Sequence, residues 1–304
     1  MRTETPPTIR LKDYKPSDYL IDHVSLDVVL QPAATGVVSV LKMRPNPASK
    51  TTRAPLRLDG EALELKSVAI NGEAIGANRY TVSADQLVIE VVPEGPFELT
   101  IETQCNPDAN TALSGLYRSN GVYCTQCEAE GFRRITYFLD RPDVLATYRV
   151  RVEADRDSVP VLLANGNPVE TGELAGGRHF AVWQDPWPKP AYLFALVAGD
   201  LACVTDHFIT MSGRKVELRI YVEQGKQDRC DWAMESLKAS MGWDETAFGR
   251  EYDLDIFMIV AVSDFNMGAM ENKGLNVFND KYILARPDTA TDQDYVNIEA
   301  IIAH

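Results

Sequence analysis

The segment Gly268-Ala-Met-Glu-Asn272 combines a glycine, small and apolar residues and one carboxylate. These residue types predict a strand-like segment whose glycine lets another backbone approach closely. Such an edge can pair with an extended peptide, main chain to main chain. The Glu271 carboxylate would then hold a free α-amine through a charge-assisted hydrogen bond. From composition alone, an exposed strand with a solvated glutamate is the simpler interpretation.

A second candidate for chemistry is the histidine of Ile301-Ile-Ala-His304. It follows a predicted helix, because Thr291-Asp-Gln-Asp294 has capping-box spacing with Asp in place of the usual Glu. The apolar residues after the box recur at helical spacing: Tyr295, Ile298 and Ile302. On these residues alone, metal ligation and a structural role are both open for His304. The other histidines lie in or near β-like segments, where we expect structural roles: His23, His179 and His207.

The cysteines offer a weaker signal. Cys124-Thr-Gln-Cys127 is a CxxC motif, but without a second CxxC or a nearby histidine it supplies only half of a structural zinc site. No thioredoxin-like βαβ pattern surrounds it, which argues against a redox pair. An odd number of cysteines in a chain of this size favours reduced thiols. The five are Cys105, Cys124, Cys127, Cys203 and Cys230.

Alternating apolar and polar runs fill the chain from Tyr19 to about Leu201. Period-two alternation broken by Pro, Gly and Asn turns predicts antiparallel sheet. The Asn71-Gly72 pair lies between β-like flanks and is a strong hairpin signal. No helical period stands out, so residues 1–200 are predicted to form a mainly β, sandwich-like domain. The predicted strands are 22–30, 36–41, 86–92, 97–102, 146–152, 159–163 and 178–183.

The pattern changes after residue 200, and residues 201–304 are predicted to begin an α+β domain. Residues 216–222 still alternate, whereas 255–262 form a continuous apolar run whose length fits a strand buried on both faces. Residues 275–284 predict another strand, near an edge because polar residues interrupt it.

A helix is predicted between the first two of these strands. Asp228 has the residue type of an N-cap, the helix runs to about Phe248, and Gly249 closes it. Its apolar face consists of Ala233, Leu237 and Met241.

The net charge limits the possible partners. A formal charge of -14, from 30 Lys and Arg against 44 Asp and Glu, argues against nucleic acid. Solubility explains this charge, and a mild attraction for cationic ligands is the other interpretation. No run of about 18 apolar residues occurs, and residues 1–7 lack the apolar stretch of a secretory signal. We expect a cytoplasmic monomer that binds neither nucleic acid nor membrane.

The segment 268–272 matches the GAMEN exopeptidase motif of the zinc aminopeptidase N family, and its context, 265–274, resembles the family equally well. Several dispersed segments that resemble the family in the same order are more specific than one motif. The resemblance covers roughly Tyr19 to His304 and points to the bacterial cytoplasmic branch. The further segments are 128–132, 137–143, 165–167, 192–200 and 252–255.

The resemblance implies roles for the residues of the motif. Glu271 would bind the free α-amine of the substrate, and the backbone at Gly268 and Ala269 would line the peptide. Met267 resembles the residue that cushions the first side-chain pocket, a role that suits a flexible thioether. Met270 and Asn272 complete the substrate-binding segment.

The same resemblance gives the CxxC region another role. Glu128 matches a glutamate that reaches from the β domain and shares the α-amine with Glu271, and Gln126 matches a neighbour that lines the first pocket. Two carboxylates facing one ammonium would favour peptides with a free N-terminus.

His304 acquires a metal role through the resemblance. In the family this helix continues as HExxH, whose histidines at i and i+4 face one Zn²⁺ while the glutamate serves as general base. We therefore expect His304 to be a zinc ligand, with one Zn²⁺ per intact catalytic domain. The metal would polarise the scissile carbonyl and lower the pKa of its bound water. The other catalytic groups are expected beyond His304, so this chain alone is expected to be inactive.

The predicted architecture is a mainly β N-terminal domain, sandwich- or saddle-like, followed by the incomplete α+β start of a thermolysin-like catalytic domain. The intact protein is expected to be a zinc-dependent metalloaminopeptidase that removes N-terminal residues from peptides. Two alternatives remain: a non-catalytic relative that uses the scaffold for protein interaction, and an epoxide-hydrolysing relative on the same zinc framework.

Overall fold

The computed structural model describes residues 8, 10–51 and 53–304, and these residues form twenty strands and two α-helices. Residues 1–7, on which the expectation about a secretory signal rests, lie outside the described residues. The strands are β1 (Tyr19–Val29), β2 (Thr35–Pro45), β3 (Leu56–Asp59), β4 (Glu64–Ile70), β5 (Glu73–Ala74), β6 (Tyr80–Val82), β7 (Gln86–Ile89), β8 (Phe97–Cys105), β9 (Gly115–Ser119), β10 (Val122–Gln126), β11 (Leu145–Asp155), β12 (Val161–Ala164), β13 (Asn167–Leu174), β14 (Arg178–Pro190), β15 (Leu196–Gly199), β16 (Leu201–Ile209), β17 (Lys215–Glu223), β18 (Ile256–Val262), β19 (Ala269–Met270) and β20 (Leu275–Asn279). The helices are α1 (Asp231–Phe248) and α2 (Asp292–Ala303).

Three sheets form the first part of the chain. The largest has eight strands in the order β13-β14-β11-β1-β2-β8-β4-β5, and its strands pair antiparallel except for the parallel pair β1 and β11. Buried and exposed residues alternate along β8 and β11, as expected for a sheet with one face on a core. A four-stranded sheet, β12-β15-β10-β9, and a three-stranded sheet, β3-β7-β6, complete this region. The predicted mainly β architecture is confirmed.

The predicted hairpin at Asn71-Gly72 is also confirmed. Strands β4 and β5 pair antiparallel on either side of these two residues. Their φ angles are 52° and 80°, the left-handed pair that a two-residue type I′ turn requires.

A five-stranded mixed sheet follows, in the order β16-β17-β18-β20-β19. Its central strand β18 pairs parallel with β17 and β20 and is buried on both faces, as its apolar run predicted. Met258, Val260 and Val262 face the core shared with the β region, whereas Ile259 and Ala261 face the core beneath the helices. The sheet therefore lies between the β region and the two helices.

The strand predicted within 275–284 is confirmed, and so is its position near an edge of the sheet. Strand β20 ends at Asn279, because a 3-10 turn over Asp280–Tyr282 follows and the Asn279 side chain caps it. It pairs with β18 on one side and with β19 on the other. Strand β20 is therefore the second strand from the edge, and β19 forms the edge itself.

The predicted N-cap of α1 is wrong, whereas its end and apolar face are confirmed. Asp228 lies in a 3-10 turn, Gln227–Arg229, and α1 begins at Asp231 after Cys230, which makes no side-chain capping bond. The 3-10 turn supplies backbone hydrogen bonds that precede the helix, such as the bond that the Cys230 N–H donates to the Gln227 carbonyl oxygen at 3.3 Å. Gly249 is the C-cap residue, and the buried face includes Ala233, Leu237 and Met241.

The start of α2 agrees with its sequence. Thr291 and Asp294 form the reciprocal capping box, so Asp substitutes for Glu in this motif. The helix packs on α1, where the Trp232 indole N–H donates to the Tyr295 carbonyl oxygen at 2.8 Å. Within the part of the chain that the structure describes, neither helix has the length and apolar character needed to cross a membrane.

The predicted domain boundary at residues 200 and 201 stays a prediction. The four-stranded sheet ends with β15 at Gly199, and the five-stranded sheet begins with β16 at Leu201. One hydrophobic core nevertheless crosses this point, since Met258, Val260 and Met270 pack in the same cluster as residues of the β sheets. The five-stranded sheet is thus fixed against the β region by apolar burial.

Two glycine backbones touch where these regions meet. A Cβ added at Gly166, whose φ is +94°, would lie 2.2 Å from the Gln184 carbonyl oxygen. A Cβ added at Gly274 would lie 3.0 Å from the Gly166 nitrogen. Gly166 therefore allows the loop after β12 to fit between β14 and the segment before β20.

We expect Gly166→Ala to lower the free energy of unfolding by about 3 kcal/mol, since backbone strain and a clash with backbone atoms add. Gly176→Ala is the matched control, because its φ is +73° but nothing lies within 4 Å of the added Cβ. It should cost only about 1 kcal/mol, the strain of a left-handed residue. Urea unfolding of both variants checks this, and equal losses would contradict the role given to Gly166.

Candidate functional site

The motif 268–272 lies at the edge of the five-stranded sheet. Ala269 and Met270 pair antiparallel with Phe278 and Val277, and β19 is the last strand in the sheet order. The Asn279 N–H donates to the Gly268 carbonyl oxygen at 3.0 Å, which extends this pairing by one bond. Among the described residues, no strand pairs with the outer side of β19, so an extended peptide has backbone groups to join.

Alternation along β19 divides the motif between two environments. Met270 is 1% exposed and belongs to the core shared with the β region. Asn272 is also 1% exposed, and its Nδ2 donates to the Phe194 carbonyl oxygen at 3.3 Å. Ala269 contacts the core beneath the helices, and Glu271 is exposed. The side chains of Met270 and Asn272 therefore anchor the strand, and Glu271 is left on the surface.

Glu271 and His304, the two candidates for chemistry, line one cavity. This cavity has a volume of about 350 Å³ and lies between β19 and the two helices. Its wall includes Ala269 and Glu271 from the motif, Leu237 from α1, and Ile301 and His304 at the end of α2. The contact of α2 with the motif is close, since a Cβ added at Gly268 would lie 3.3 Å from Ile301 Cδ1. The fold thus brings together residues that lie 33 positions apart in the numbering of the sequence.

The end of β10 contacts the motif from the β region. Gln126 is buried, and its Nε2 lies 2.9 Å from the Met267 Sδ and 3.5 Å from the Glu128 carbonyl oxygen. Its Oε1 is buried without a hydrogen-bond partner among the described residues. Glu128 follows as an exposed residue, and the Glu128–Ala129 peptide bond is cis. Glu128 does not line the cavity that holds Glu271 and His304.

Further contacts hold the residues that precede the motif. The Tyr117 hydroxyl donates to the Asp264 carbonyl oxygen at 3.0 Å. Ser119 donates its hydroxyl to the Asp264 carboxylate at 2.9 Å and accepts from the Asp264 N–H at 3.1 Å. Asn266 donates to the Leu113 carbonyl oxygen at 3.2 Å. The β9–β10 hairpin therefore fixes the approach to β19, a role that the sequence motifs did not reveal.

The described residues do not make up a complete zinc site. His304 is exposed at the C-cap of α2 and offers one imidazole, whereas a catalytic zinc takes three protein ligands. Among the described residues, no group of three or more His, Cys, Asp or Glu side chains is arranged to hold a metal.

The remaining histidines have local contacts. His23 bonds through Nδ1 to the Thr147 hydroxyl at 2.8 Å, and His179 bonds through Nε2 to the Val159 carbonyl oxygen at 2.7 Å. His207 lies at the surface, 3.5 Å from the Asp206 carboxylate. These contacts agree with the structural roles expected from the sequence.

The two cysteines of the CxxC motif are buried free thiols. Cys124 lies in β10 and Cys127 follows it, and neither side chain is accessible to solvent. Burial raises the pKa of both thiols well above the ordinary value, which disfavours the thiolate needed for redox or metal chemistry. Both cysteines belong to the hydrophobic core of the β region.

The structure reveals that Asn165 supports the site, a role that the sequence did not indicate. The segment 165–167 is a point of family resemblance in the sequence, but nothing in its residue types indicates where its amides bind. The structure shows that Asn165 Nδ2 donates to the Lys273 carbonyl oxygen at 2.9 Å, directly after the motif. This contact joins residues 108 positions apart, which no local pattern could predict.

Two models of known protein families match the chain. Residues 22–193 match the model of the peptidase M1 N-terminal domain, and residues 232–304 match the model of the peptidase family M1 domain.

Individual relatives show the same similarity. The chain is 56% identical to aminopeptidase N of Caulobacter vibrioides over 100% of this chain and 35% of that protein. It is 55% identical to aminopeptidase N of Escherichia coli over 99% of this chain and 34% of that protein. A crystal structure of Legionella pneumophila aminopeptidase A in complex with aspartic acid superposes with a TM-score of 0.93 at 38% identity, covering 97% of this chain and 35% of that one. The chain spans about a third of the length of these relatives.

We expect a thiol reagent that forms mixed disulfides to label Cys203 first in the folded chain at neutral pH. Cys203 is the exposed cysteine, and the other four are buried. Desolvation raises the pKa of Cys203 and raises those of Cys105 and Cys230 to about 12, so fewer thiolates form and labelling should accelerate as the pH rises.

The number of thiols released per chain, measured with and without denaturant, checks this expectation. The Cys203→Ser variant should lose the fast phase and keep the slow one. Fast labelling of Cys124 or Cys127 in the folded chain would show that the CxxC motif is accessible and reactive.

Proposed function

Since this chain belongs to the peptidase M1 family, we propose that it supplies the substrate-recognition region of a zinc aminopeptidase that removes N-terminal residues from peptides. The observation that carries the proposal is the edge strand β19, whose outer side is open and whose last residue is followed by the exposed Glu271. Glu271 shares its cavity with His304, the proposed zinc ligand. The proposed anchor for the amine and the proposed metal ligand thus line the same cavity.

The open edge supports a binding mode for the peptide. An extended substrate would add to β19 through main-chain hydrogen bonds, at Gly268 and Ala269, where no large side chain stands in the way. Main-chain pairing does not depend on the substrate sequence. It would therefore hold many different peptides in the same orientation.

Three acceptors are proposed for the terminal amine, with the Glu128 carboxylate included on the basis of the family resemblance. An ammonium group has three N–H donors, and the proposed partners are the carboxylates of Glu271 and Glu128 and the buried Oε1 of Gln126, which lacks a partner in the described residues. A charged donor paired with carboxylates forms stronger hydrogen bonds than a neutral one. An acetylated or internal peptide would leave these acceptors without a cationic partner, so cleavage would be confined to the N-terminus.

Met267 is the proposed floor of the first side-chain pocket. It is 36% exposed, and Gln126 holds its sulfur atom at 2.9 Å. A thioether fixed at one end and exposed at the other can adapt to differently shaped side chains.

The remaining parts of the proposal rest on family resemblance. In a protein with the length of the relatives, His304 would be one of the ligands of a single Zn²⁺. A cytoplasmic location and a monomeric state are proposed on the same basis. The net charge of -14 supports attraction of the protonated N-terminus.

We expect Glu271→Ala and Glu128→Ala, each made in the full-length protein, to lower kcat/KM for aminoacyl arylamides by about 10- to 100-fold. The reason is the loss of a hydrogen bond between charged groups, worth about 1.5–3 kcal/mol. Steady-state kinetics check this expectation. Glu170→Ala on β13 is the matched control, because it removes the same charge from an exposed position remote from β19. An unchanged kcat/KM in both site variants would refute the amine clamp.

The zinc proposal has a separate test. A chelator should abolish arylamide hydrolysis by the full-length protein, and added Zn²⁺ should restore it. Activity that is insensitive to the chelator would exclude a zinc enzyme. Absence of arylamide hydrolysis in the zinc-loaded protein would instead favour a non-catalytic relative or the epoxide-hydrolysing relative.

A further inference from the structure

We propose that Asn165 is a positioning residue that sets the place of the Glu271 carboxylate through the backbone of residues 272–273. The inference rests on the proposed function, because it concerns the accuracy with which the amine is held. Asn165 itself contacts neither the cavity nor the open edge of β19.

The Asn165 carboxamide joins three segments of backbone. Its Nδ2 donates to the Lys273 carbonyl oxygen at 2.9 Å and to the Leu193 carbonyl oxygen at 3.1 Å. Its Oδ1 accepts from the Ala195 N–H at 2.7 Å. Both N–H donors of the amide are used, and the residue is 1% exposed. The β region therefore holds Lys273 through one fully buried side chain.

The side-chain amide of Asn272 makes a second bond between the same two regions, this time from the motif to the β region. Asn272 is buried, and its Nδ2 donates to the Phe194 carbonyl oxygen at 3.3 Å. The stretch 193–195 thus receives bonds from both Asn165 and Asn272, and residues 272–273 are held at two successive positions. Glu271 precedes this fixed pair, and its own side chain is exposed. The direction in which its carboxylate leaves the strand consequently depends on the backbone that Asn165 and Asn272 hold.

Asparagine is the residue type that this junction requires. Aspartate has nearly the same shape but offers no N–H donors when ionised, and its carboxylate would face two carbonyl oxygens. Alanine would leave two carbonyl oxygens and one N–H buried without their partner, which is costly in a site from which water is excluded. Either change would remove the side-chain bond that holds the Lys273 carbonyl oxygen to the β region, without touching β19.

The neighbouring Asn167 provides a matched control. Its Oδ1 accepts from the Asp255 N–H at 2.9 Å, and its Nδ2 donates to the Asp255 carboxylate at 3.0 Å. It therefore makes comparable bonds between the same two regions, but to the residue that precedes β18. A loss of activity on substitution of either Asn165 or Asn167 would reflect lower stability of the fold. A loss on substitution of Asn165 alone would reflect a misplaced Glu271.

The first experiment compares Asn165→Asp and Asn167→Ala in the full-length protein. Misplacement of a binding group by about 1 Å can cost about 100-fold in rate, so kcat/KM for an aminoacyl arylamide should fall by about 10- to 100-fold in Asn165→Asp. It should stay within about threefold of the wild-type value in Asn167→Ala, although both variants lower the Tm. Equal activity losses in the two variants, or none in Asn165→Asp, would overturn the proposal.

A double-mutant cycle tests whether Asn165 acts through Glu271. In the Glu271→Ala background, Asn165→Asp should lower kcat/KM by less than about threefold, because the carboxylate that it positions is no longer there. A merely structural role would give the same loss factor in both backgrounds. That result would refute the positioning role.

Hydrogen exchange separates failure of this inference from failure of the proposed function. Asn165→Ser is the variant to use if Asn165→Asp does not fold, because serine keeps a smaller hydrogen-bonding group. In Asn165→Ser, the backbone amides of residues 270–275 should exchange faster than in Asn167→Ala. Unchanged exchange would show that Asn165 does not hold this segment. If the wild-type protein has no activity but shows the expected exchange pattern, the aminopeptidase proposal is refuted, and so is the positioning of a substrate clamp. Only the contact between Asn165 and the backbone of Lys273 would then stand.

Discussion

The position of Glu271 depends on a strand that is too short to be stable without support from the rest of the fold. β19 has two residues, pairs with β20 alone and lies at the edge of its sheet. Two ladder positions give little resistance to fraying, and stable pairing normally needs longer strands or packing against other elements. The β region supplies that support on both flanks, through Asp264 before the strand and Lys273 after it. A short strand supported in this way leaves its outer side open for a peptide and limits unwanted pairing with other chains.

Packing on the two faces of β19 determines which way Glu271 points. Met270 fits into the core shared with the β region, and Ala269 packs towards the helices. A slip of one residue would turn Met270 away from its core and bring its neighbours inward, so the register is strongly specified. The buried side-chain amide of Asn272 also favours this register, because only in this register does it donate to the Phe194 carbonyl oxygen. The apolar core and the buried amide therefore select the same arrangement of the proposed clamp.

Local patterns account for the elements of the fold but not for the contacts that build the site. Alternation predicted the strands, Asn71-Gly72 predicted its turn, and the Thr291–Asp294 spacing predicted the capping box, because the causes of these features lie within a few residues. Asp228 was mistaken for an N-cap because a 3-10 turn with equally local hydrogen bonds precedes the helix. Polar interruptions predicted that β20 lies near an edge of its sheet, whereas the edge strand β19 itself is determined by tertiary pairing. Motif resemblance identified 268–272, whereas the contacts of Asn165 and Gln126 with the residues beside this motif, Lys273 and Met267, span more than 100 positions.

The distance between the proposed amine anchor and the proposed metal ligand is set by a contact between helix and strand. Glu271 is fixed by the β region, whereas His304 belongs to α2, which is held by α1 and by the packing of Ile301 against Gly268. A Cβ at position 268 would meet Ile301 Cδ1 at 3.3 Å, closer than about nine in ten such contacts, so the Ile301 side chain would have to shift by a few tenths of an ångström. The glycine that leaves the strand edge open to a peptide therefore also lets Ile301 of α2 pack against the motif, which helps to bring the proposed metal ligand and the proposed amine anchor to one cavity.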